Sequence, residues 1–122
     1  MRKRNEHIMR LSEPFFTQVL QLKKTVEMRI YDEKRRNVSC GDIITFFCAD
    51  DDDKSVDVKV CGVEVFEDFY ALASSYPARE LGFEGKSAEH IAEFMNELYG
   101  ERAKNSSVIA IEFIDYCKED EI

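Results

Sequence analysis

The stretch LKKTVEMRIYDEKRR occupies residues 22–36, and its alternating pattern predicts a β-strand that starts at Thr25. In a strand, successive side chains point to opposite faces. The apolar face is expected to be buried and carries Val26, Met28 and Ile30. The polar face carries Thr25, Glu27, Arg29 and Tyr31, with Lys24 just upstream. This second face is either ordinary surface or the wall of a site, and the functional interpretation depends on which.

Length and composition predict one globular domain over residues 1–122, long enough to bury a core. The sequence has no apolar run of membrane-spanning length and no signal-peptide pattern, so we expect a cytoplasmic protein without a membrane partner. The cysteines are widely spaced, which predicts free thiols in a reducing compartment and no metal site. They are Cys40, Cys48, Cys61 and Cys117.

Charge is distributed unevenly along the chain. The net charge is −8, yet residues 1–36 hold ten Lys and Arg against five Asp and Glu. Phosphate attraction depends on the local patch more than on the total charge. The fold could therefore present a basic patch on an acidic body, or it could intermix the charges.

The flanking segments predict a strand, a helix and a hairpin. His7–Leu11 forms the first strand, and a helix follows with Ser12 as its N-cap and Pro14 in the first turn. Ile43–Cys48 forms another strand, residues 49–55 a polar loop, and the return strand has Val56, Val58 and Val60 facing inward. The helix's apolar stripe comprises Phe15, Phe16, Val19, Leu20 and Leu22.

The return strand changes phase at Cys61–Gly62, where a β-bulge would re-aim Val63 and Val65. A short helix is predicted before Pro77, and a longer one lies between an N-cap at Ser87 and a terminal Gly100. The apolar stripe of the longer helix predicts packing on the core and comprises Ile91, Phe94, Met95, Leu98 and Tyr99. A final, central strand covers residues 107–117. This order favours an α+β domain with a curved sheet.

The common phosphate-binding, hydrolase and metalloprotease motifs are absent from the sequence. Asp50–Asp53 is interpreted as a solvated turn, and His7 and His90 as surface residues. The remaining constellation is Lys24, Glu27 and Arg29, an amine, a carboxylate and a guanidinium within six residues. Spacing alone leaves two interpretations open, a surface ion pair of little energetic weight or a ligand site.

The segment LKKTVEMR (residues 22–29) resembles the G-x-K-x-x-E-x-R signature of ASCH domains, a family named for homology to activating signal cointegrator 1. Lys24, Glu27 and Arg29 match its three charged positions, and Leu22 replaces its glycine. The run CGDIITF (residues 40–46) and the closing VIAIEF (residues 108–113) are also similar to the family pattern.

The resemblance implies a PUA-like β-pseudobarrel of mixed strands with peripheral helices, and a cleft lined by the signature strand. It implies an RNA or nucleoside-like ligand, with no DNA specificity inferred and no cofactor. The ligand-binding residues would be Lys24, Thr25, Glu27, Arg29 and Tyr31.

One branch of the family, the acetylcytidine amidohydrolases, removes an acetyl group from a cytidine nitrogen. Lys24 matches its lysine, but Glu27 stands where that branch has threonine. If this chain is an enzyme, the resemblance implies Lys24 and Glu27 as catalytic residues, with Glu80 or Glu84 as a third carboxylate. Glu27 would then activate water as a general base.

Three functions therefore remain open. The first is a module that binds RNA or a modified nucleoside, and the second is a small metal-independent amidohydrolase. The third is a regulatory interaction domain without catalysis, whose charged face is a surface ion pair. Function must be decided at the site, since one fold hosts many activities.

Overall fold

The computed structural model describes residues 4–116, which form one five-stranded mixed sheet with helices around it. The strands are β1 (Glu6–Leu11), β2 (Val26–Ile30), β3 (Ile43–Cys48), β4 (Asp51–Phe66) and β5 (Val108–Asp115). The helices are α1 (Glu13–Leu20), α2 (Phe69–Ala73), α3 (Ala78–Leu81), α4 (Ala88–Tyr99) and α5 (Glu101–Lys104), and residues Arg35–Asn37 form a 3-10 turn.

The strand order is β1-β3-β4-β5-β2, and the sheet curls into a half-barrel. Only β1 and β3 pair in parallel; the other neighbours are antiparallel. The first two strands of the chain are therefore the two edges of the sheet. The α+β class and the curved mixed sheet agree with the sequence prediction.

Two apolar clusters occupy the two faces of this sheet. The apolar face of β2 packs with α2, α3 and α4, and Val26, Met28 and Ile30 are each at most 3% exposed, as predicted. The other cluster lies under α1 and includes Phe16, Phe46 and Ile111. Strand β5 contributes side chains to both clusters, which confirms its predicted central position.

The hairpin differs from the predicted one at its tip. Residues 49–55 do not form a loop, because β4 begins at Asp51 directly after a two-residue turn, with an irregular register next to Cys48. The predicted bulge is present between Val60 and Gly62. However, it does not bury the valines that follow, since Val63 and Val65 are 40% and 45% exposed.

The turn before β3 is organised by a buried carboxylate that the sequence did not reveal. Asp42 is fully buried and accepts from the backbone N–H groups of Asn5 and Ser39. His7 Nε2 lies 2.9 Å from Asp42 Oδ2. The interpretation of His7 as a plain surface residue is therefore wrong, whereas His90 is exposed as expected.

The helix predictions are correct in position and wrong in some details. Ser87 caps α4 by accepting from the His90 N–H, and α2 ends before Pro77. Pro77 also precedes α3, which was not predicted. Leu20 does not belong to the buried stripe of α1, since it is 52% exposed.

Cys40, Cys48 and Cys61 are free thiols as predicted, while Cys117 lies outside the described residues. Over residues 4–116, the structure has no helix with the length and apolarity needed to cross a membrane.

Leu22 stands where the ASCH signature has glycine, and its backbone conformation is one that glycine adopts without strain. Leu22 has a φ of +60° and is 59% exposed, so it too lies outside the buried stripe. Lys23 N–H donates to the Gln18 carbonyl and Leu22 N–H to the Val19 carbonyl, the pattern of a Schellman helix end. An L-residue in this left-handed conformation is strained.

We predict that Leu22→Gly stabilises the protein by about 0.5–1 kcal/mol, because relief of left-handed strain outweighs the added flexibility of the unfolded chain. Urea unfolding measures the change. Leu20→Gly is the matched control, since Leu20 is exposed but lies within the helix, and it should destabilise by about 1 kcal/mol. Equal destabilisation by both variants would contradict the assignment of strain to Leu22.

Candidate ligand-binding cleft

A cavity of about 250 Å³ opens between the edge strands β1 and β2 and the helices α1 and α4. One wall carries the signature residues Lys24, Glu27 and Arg29. The opposite wall is apolar and is formed mainly by Phe15, Phe83, Phe94 and Leu98. A polar group set against an apolar, aromatic wall is the usual character of a small-molecule site.

Glu27 is the centre of the charged wall. Glu27 is 5% exposed, and its backbone pairs with that of Ile111 in β5. Its Oε1 accepts from the Met28 backbone N–H at 3.0 Å and lies 3.3 Å from Lys24 Nζ. Its Oε2 accepts from Arg29 Nε at 2.9 Å and lies 2.8 Å from Arg29 Nη2. The carboxylate is thus held between two cations.

Lys24 is 2% exposed and extends across the end of β2 toward α3. Its ammonium donates to the Val26 carbonyl at 2.7 Å and to the Leu81 carbonyl at 2.9 Å. With Glu27 as the third neighbour, all three N–H donors of the ammonium have acceptors. Gly82 permits this approach, because a Cβ there would lie 2.9 Å from the Phe15 ring and 3.1 Å from the Lys24 chain.

Arg29 connects the two edges of the half-barrel. Its Nη2 donates to the Arg10 carbonyl of β1 at 2.8 Å, while Nε and Nη2 contact Glu27. The side chain is 16% exposed. Its Nη1 has no hydrogen-bond partner among residues 4–116, so two fixed N–H donors remain for a ligand.

Burial and charge pairing determine the ionisation of the wall. Burial alone would raise the pKa of Glu27, but the Arg29 guanidinium and the Lys24 ammonium hold it below its ordinary value. Burial lowers the pKa of Lys24, and the attraction of Glu27 only partly opposes that shift. These two groups and Arg29 form one buried network. The alternative of an exposed surface ion pair is therefore wrong.

Two hydroxyl groups at the cavity have no hydrogen-bond partner within the described part of the chain, those of Ser12 and Tyr99. Ser12 occupies the predicted N-cap position, but its side chain makes no cap hydrogen bond. A cap usually accepts from the second or third helical residue, and Pro14 at the second position has no N–H. Burial of Tyr99 raises its pKa, so its hydroxyl is a neutral donor or acceptor at neutral pH.

The apolar wall is built from three phenylalanines in mutual contact. The ring centroids of Phe15 and Phe83 are 5.2 Å apart, and those of Phe83 and Phe94 are 5.1 Å apart. Phe94 and Leu98 are 41% and 64% exposed. The predicted core packing is therefore only partly correct here. Phe94 contacts Phe15 and the buried Phe83, but both Phe94 and Leu98 remain exposed at the cavity.

Two predicted ligand-binding residues lie elsewhere. Thr25 precedes β2, and it borders a separate depression on the protein surface together with Glu80 and Glu112. Tyr31 packs partly against the apolar cluster under α1, and the Arg36 guanidinium lies 4.6 Å from its ring centroid. Neither side chain lines the cavity of Lys24, Glu27 and Arg29.

The two glutamates expected as a third carboxylate also lie outside this cavity. The Glu80 backbone carbonyl accepts from the Thr25 N–H at 2.9 Å, and Glu80 borders the neighbouring depression, not the cavity. Glu84 is exposed, and Arg79 Nε lies 3.9 Å from its carboxylate. Among residues 4–116, no three His, Cys, Asp or Glu side chains are grouped to hold a metal ion.

Sequence reasoning missed Ser12 and Tyr99 because each had a structural explanation, a helix cap and a helix stripe. A signal was present for Ser12, since Pro14 removes one of the two N–H groups that a cap would accept from. For Tyr99 the polar hydroxyl at the end of an apolar stripe was the available signal.

Comparison with known proteins identifies the family model described as ASCH domain, which matches residues 9–115. Hypothetical protein PH0355, known from a crystal structure, shares 31% sequence identity with this chain. The two structures match with a TM-score of 0.79 over 91% of this chain and 99% of that one. PF0455 from Pyrococcus furiosus is 32% identical, with a TM-score of 0.65 and coverages of 90% and 96%.

A mutant of ZmASCH from Zymomonas mobilis is similar in fold alone. It is 18% identical, with a TM-score of 0.66, and the match covers 92% of this chain and 69% of that one. Among curated proteins, none matches this chain significantly. The structural matches agree with the predicted PUA-like architecture.

We predict that Glu27→Gln destabilises the protein by about 3 kcal/mol at pH 7, because it leaves two buried cations without their anion. The folded-state pKa of Glu27 is lowered, so its stabilisation is complete above the ordinary glutamate pKa. The contribution is lost as pH falls through the lowered value. The difference between wild type and variant should therefore shrink on acidification.

Urea unfolding at a series of pH values from neutral to strongly acidic measures this difference. Glu93→Gln, at an exposed position of α4, is the matched control and should change stability little at any pH. A constant difference between wild type and Glu27→Gln across the series would contradict the ion-pair account.

Proposed function

Because the chain belongs to the ASCH domain family, we propose that its cleft binds a nucleoside-like ligand, either free or as an unstacked residue of RNA. The observation that carries the proposal is that fixed hydrogen-bond donors without a protein partner and an aromatic wall border the same cavity. Arg29 Nη1 and the Tyr99 hydroxyl have no protein partner within residues 4–116, and both residues border the cavity with Phe15 and Phe94.

The chemistry of a nucleobase matches these two walls. A base has a flat, weakly polar face that packs on aromatic and aliphatic side chains, and an edge of carbonyl and ring-nitrogen acceptors. A guanidinium is planar and presents its donors in a fixed fork. Arg29 would therefore donate to a base carbonyl, and Tyr99 and Ser12 would bond to its other edge atoms.

Lys24 and Glu27 are positioning residues in this proposal. The ammonium of Lys24 already donates to three oxygens, and each oxygen of Glu27 has two contacts. A ligand that contacted either group directly would have to displace one of these. Their role is to hold Arg29 rigid, so that little freedom is lost on binding.

The overall charge limits the mode of RNA recognition. With a net charge of −8, the protein is not suited to tight binding of RNA through its backbone alone. A cleft that reads a single exposed base needs only a local cation. We therefore expect modest affinity, set mainly by the base.

We predict that Leu98→Ala weakens nucleoside binding about 3- to 10-fold, because it removes apolar surface from the cavity wall. Leu20→Ala is the matched control, a leucine on α1 that is also more than half exposed and does not border the cavity. Both should leave the urea midpoint nearly unchanged. Dissociation constants come from NMR titration with the four common ribonucleosides and N4-acetylcytidine.

A second variant tests the polar wall. Tyr99→Phe removes only the hydroxyl and should weaken binding by a similar factor, since one hydrogen bond contributes about 0.5–1.5 kcal/mol. Absence of saturable binding at millimolar ligand would refute the proposal. So would equal affinities for wild type, Leu98→Ala and Tyr99→Phe.

The lowered pKa of Lys24 favours a second candidate function, that of an amidohydrolase acting on an acylated cytidine-type nucleoside. Lys24 and Glu27 would transfer protons while water attacks the amide carbonyl, and Arg29 would stabilise the oxyanion. However, the lowered pKa of Glu27 makes it a weak base. A weak base at this position makes the hydrolase the second candidate, after the binding module.

Incubation with N4-acetylcytidine, followed by chromatography, distinguishes the two candidates. The hydrolase predicts release of cytidine and acetate by wild type and none by Lys24→Met, which keeps the length of the side chain. Thermal unfolding checks that Lys24→Met is folded under the assay conditions. No release at high protein concentration would leave the cleft as a binding site.

A further inference from the structure

A second group of arginines lies beside the cleft and is not used by the proposed base recognition. Asp32 follows β2, and its Oδ2 lies 3.3 Å from Arg35 Nη1 and 3.2 Å from Arg102 Nη2. Arg35 belongs to the 3-10 turn and Arg102 to α5. Three separate elements thus bring two guanidinium groups to one carboxylate oxygen.

This group adjoins the cavity through Tyr99. The Arg102 guanidinium carbon lies 5.7 Å from the centroid of the Tyr99 ring, and Tyr99 borders the cavity next to Arg29. Asp32 follows the same strand that carries Arg29. A ligand held by Arg29 and Tyr99 would therefore have its outer end beside Arg102.

Asp32 uses only a small part of the donor capacity of these arginines. Each guanidinium carries five N–H donors, and Asp32 engages one nitrogen of each. Arg35 Nε is buried and has no hydrogen-bond partner within residues 4–116. A buried donor without a partner is costly, so a shift of the Arg35 side chain that brought Nε onto an acceptor would be favourable. Arg102 is 60% exposed, and its Nε and Nη1 have no hydrogen-bond partner within residues 4–116.

The local charge is positive although the whole chain is acidic. Burial raises the pKa of the Tyr99 hydroxyl, and Arg29, Arg35 and Arg102 all lie close enough to Tyr99 to oppose that rise. The carboxylates of Glu27 and Asp32 pair with these arginines, and Arg35 itself borders a neighbouring depression beside β1. Buried Lys24 adds a further positive charge behind Glu27. This surplus belongs to the basic first part of the sequence, supplemented by Arg102 from α5.

We propose that Arg35 and Arg102 form a phosphate subsite at the mouth of the cavity, so that the ligand is a phosphorylated nucleoside. The inference rests on the proposed function, because the base would occupy the cavity while its phosphate reaches these arginines. Phosphate fits this pair well, since guanidinium forks bind its oxygens with charge-assisted hydrogen bonds. The phosphate belongs either to a free nucleotide or to the terminus of an RNA strand.

The test compares each ribonucleoside with its 5′- and 3′-monophosphates by calorimetry on wild type and two variants. For wild type, one of the two monophosphates should bind at least about tenfold tighter than the nucleoside. Arg102→Gln should remove most of that gain and leave nucleoside affinity within about twofold. Arg79→Gln is the matched control, an exposed arginine that pairs with Glu84 away from the cavity.

Each outcome separates the subsite from the proposed function. Nucleosides that bind without any gain from phosphate would overturn the subsite and leave base recognition intact. Equal losses in Arg102→Gln and Arg79→Gln would also overturn it. If neither nucleosides nor nucleotides bind, the proposed function fails and the subsite with it.

A further arm identifies the source of the phosphate. Short oligoribonucleotides with and without a terminal phosphate are compared with the mononucleotide. If the phosphate gain is kept in the oligonucleotide, the ligand is an RNA terminus. If the oligonucleotide binds more weakly than the mononucleotide, the ligand is a free nucleotide. Either result supports the subsite, and loss of the gain in both ligand types would refute it.

Discussion

The buried carboxylate of Glu27 is the constraint on which the rest of this structure depends. A charged group that is 5% exposed must be paired and hydrogen-bonded, and two cations and a backbone N–H supply these contacts. Each cation then makes a second connection. Arg29 donates to the Arg10 carbonyl of the opposite sheet edge, and Lys24 donates to the Leu81 carbonyl at the end of α3.

The same network that closes the half-barrel also forms one wall of its cavity. Because Glu27 holds two nitrogens of Arg29, the third points from a fixed position and has no protein partner among residues 4–116. A preorganised donor of this kind loses little entropy when it binds a ligand. Hence a change at Lys24 or Glu27 affects the fold as well as the cavity wall, whereas a change at the exposed Leu98 affects mainly the cavity wall.

The local pattern of the sequence was sufficient for much of this architecture. The alternation of apolar and polar residues predicted which face of β2 is buried. The change of that alternation in β4 predicted the bulge at Gly62, and Ser87 and Gly100 predicted the two ends of α4. The signature also identified Lys24, Glu27 and Arg29 as one unit. These features depend on neighbours within a few residues, which is the range that periodicity and capping report.

Features decided by distant contacts could not be predicted in this way. The strand from Asp51 forms because the hairpin pairs almost to its tip, despite four consecutive aspartates. Phe94 and Leu98 remain exposed at a cavity because β1, β2 and α1, which also line it, leave space in front of them. Tyr31 follows β2 and packs on Arg36 instead of lining the cleft, because the 3-10 turn brings Arg36 next to its ring.

The central claim is that the Glu27 network holds Arg29 ready for a ligand in the cleft. The most direct measurement is the side-chain NMR resonance of Arg29 Nε, followed while nucleosides and nucleotides are added. The account predicts a slowly exchanging Arg29 signal before ligand is added and a saturable shift on binding, with the Arg79 signal unchanged. An Arg29 signal that exchanges as fast as that of Arg79, or that stays unshifted at saturating ligand, would contradict it.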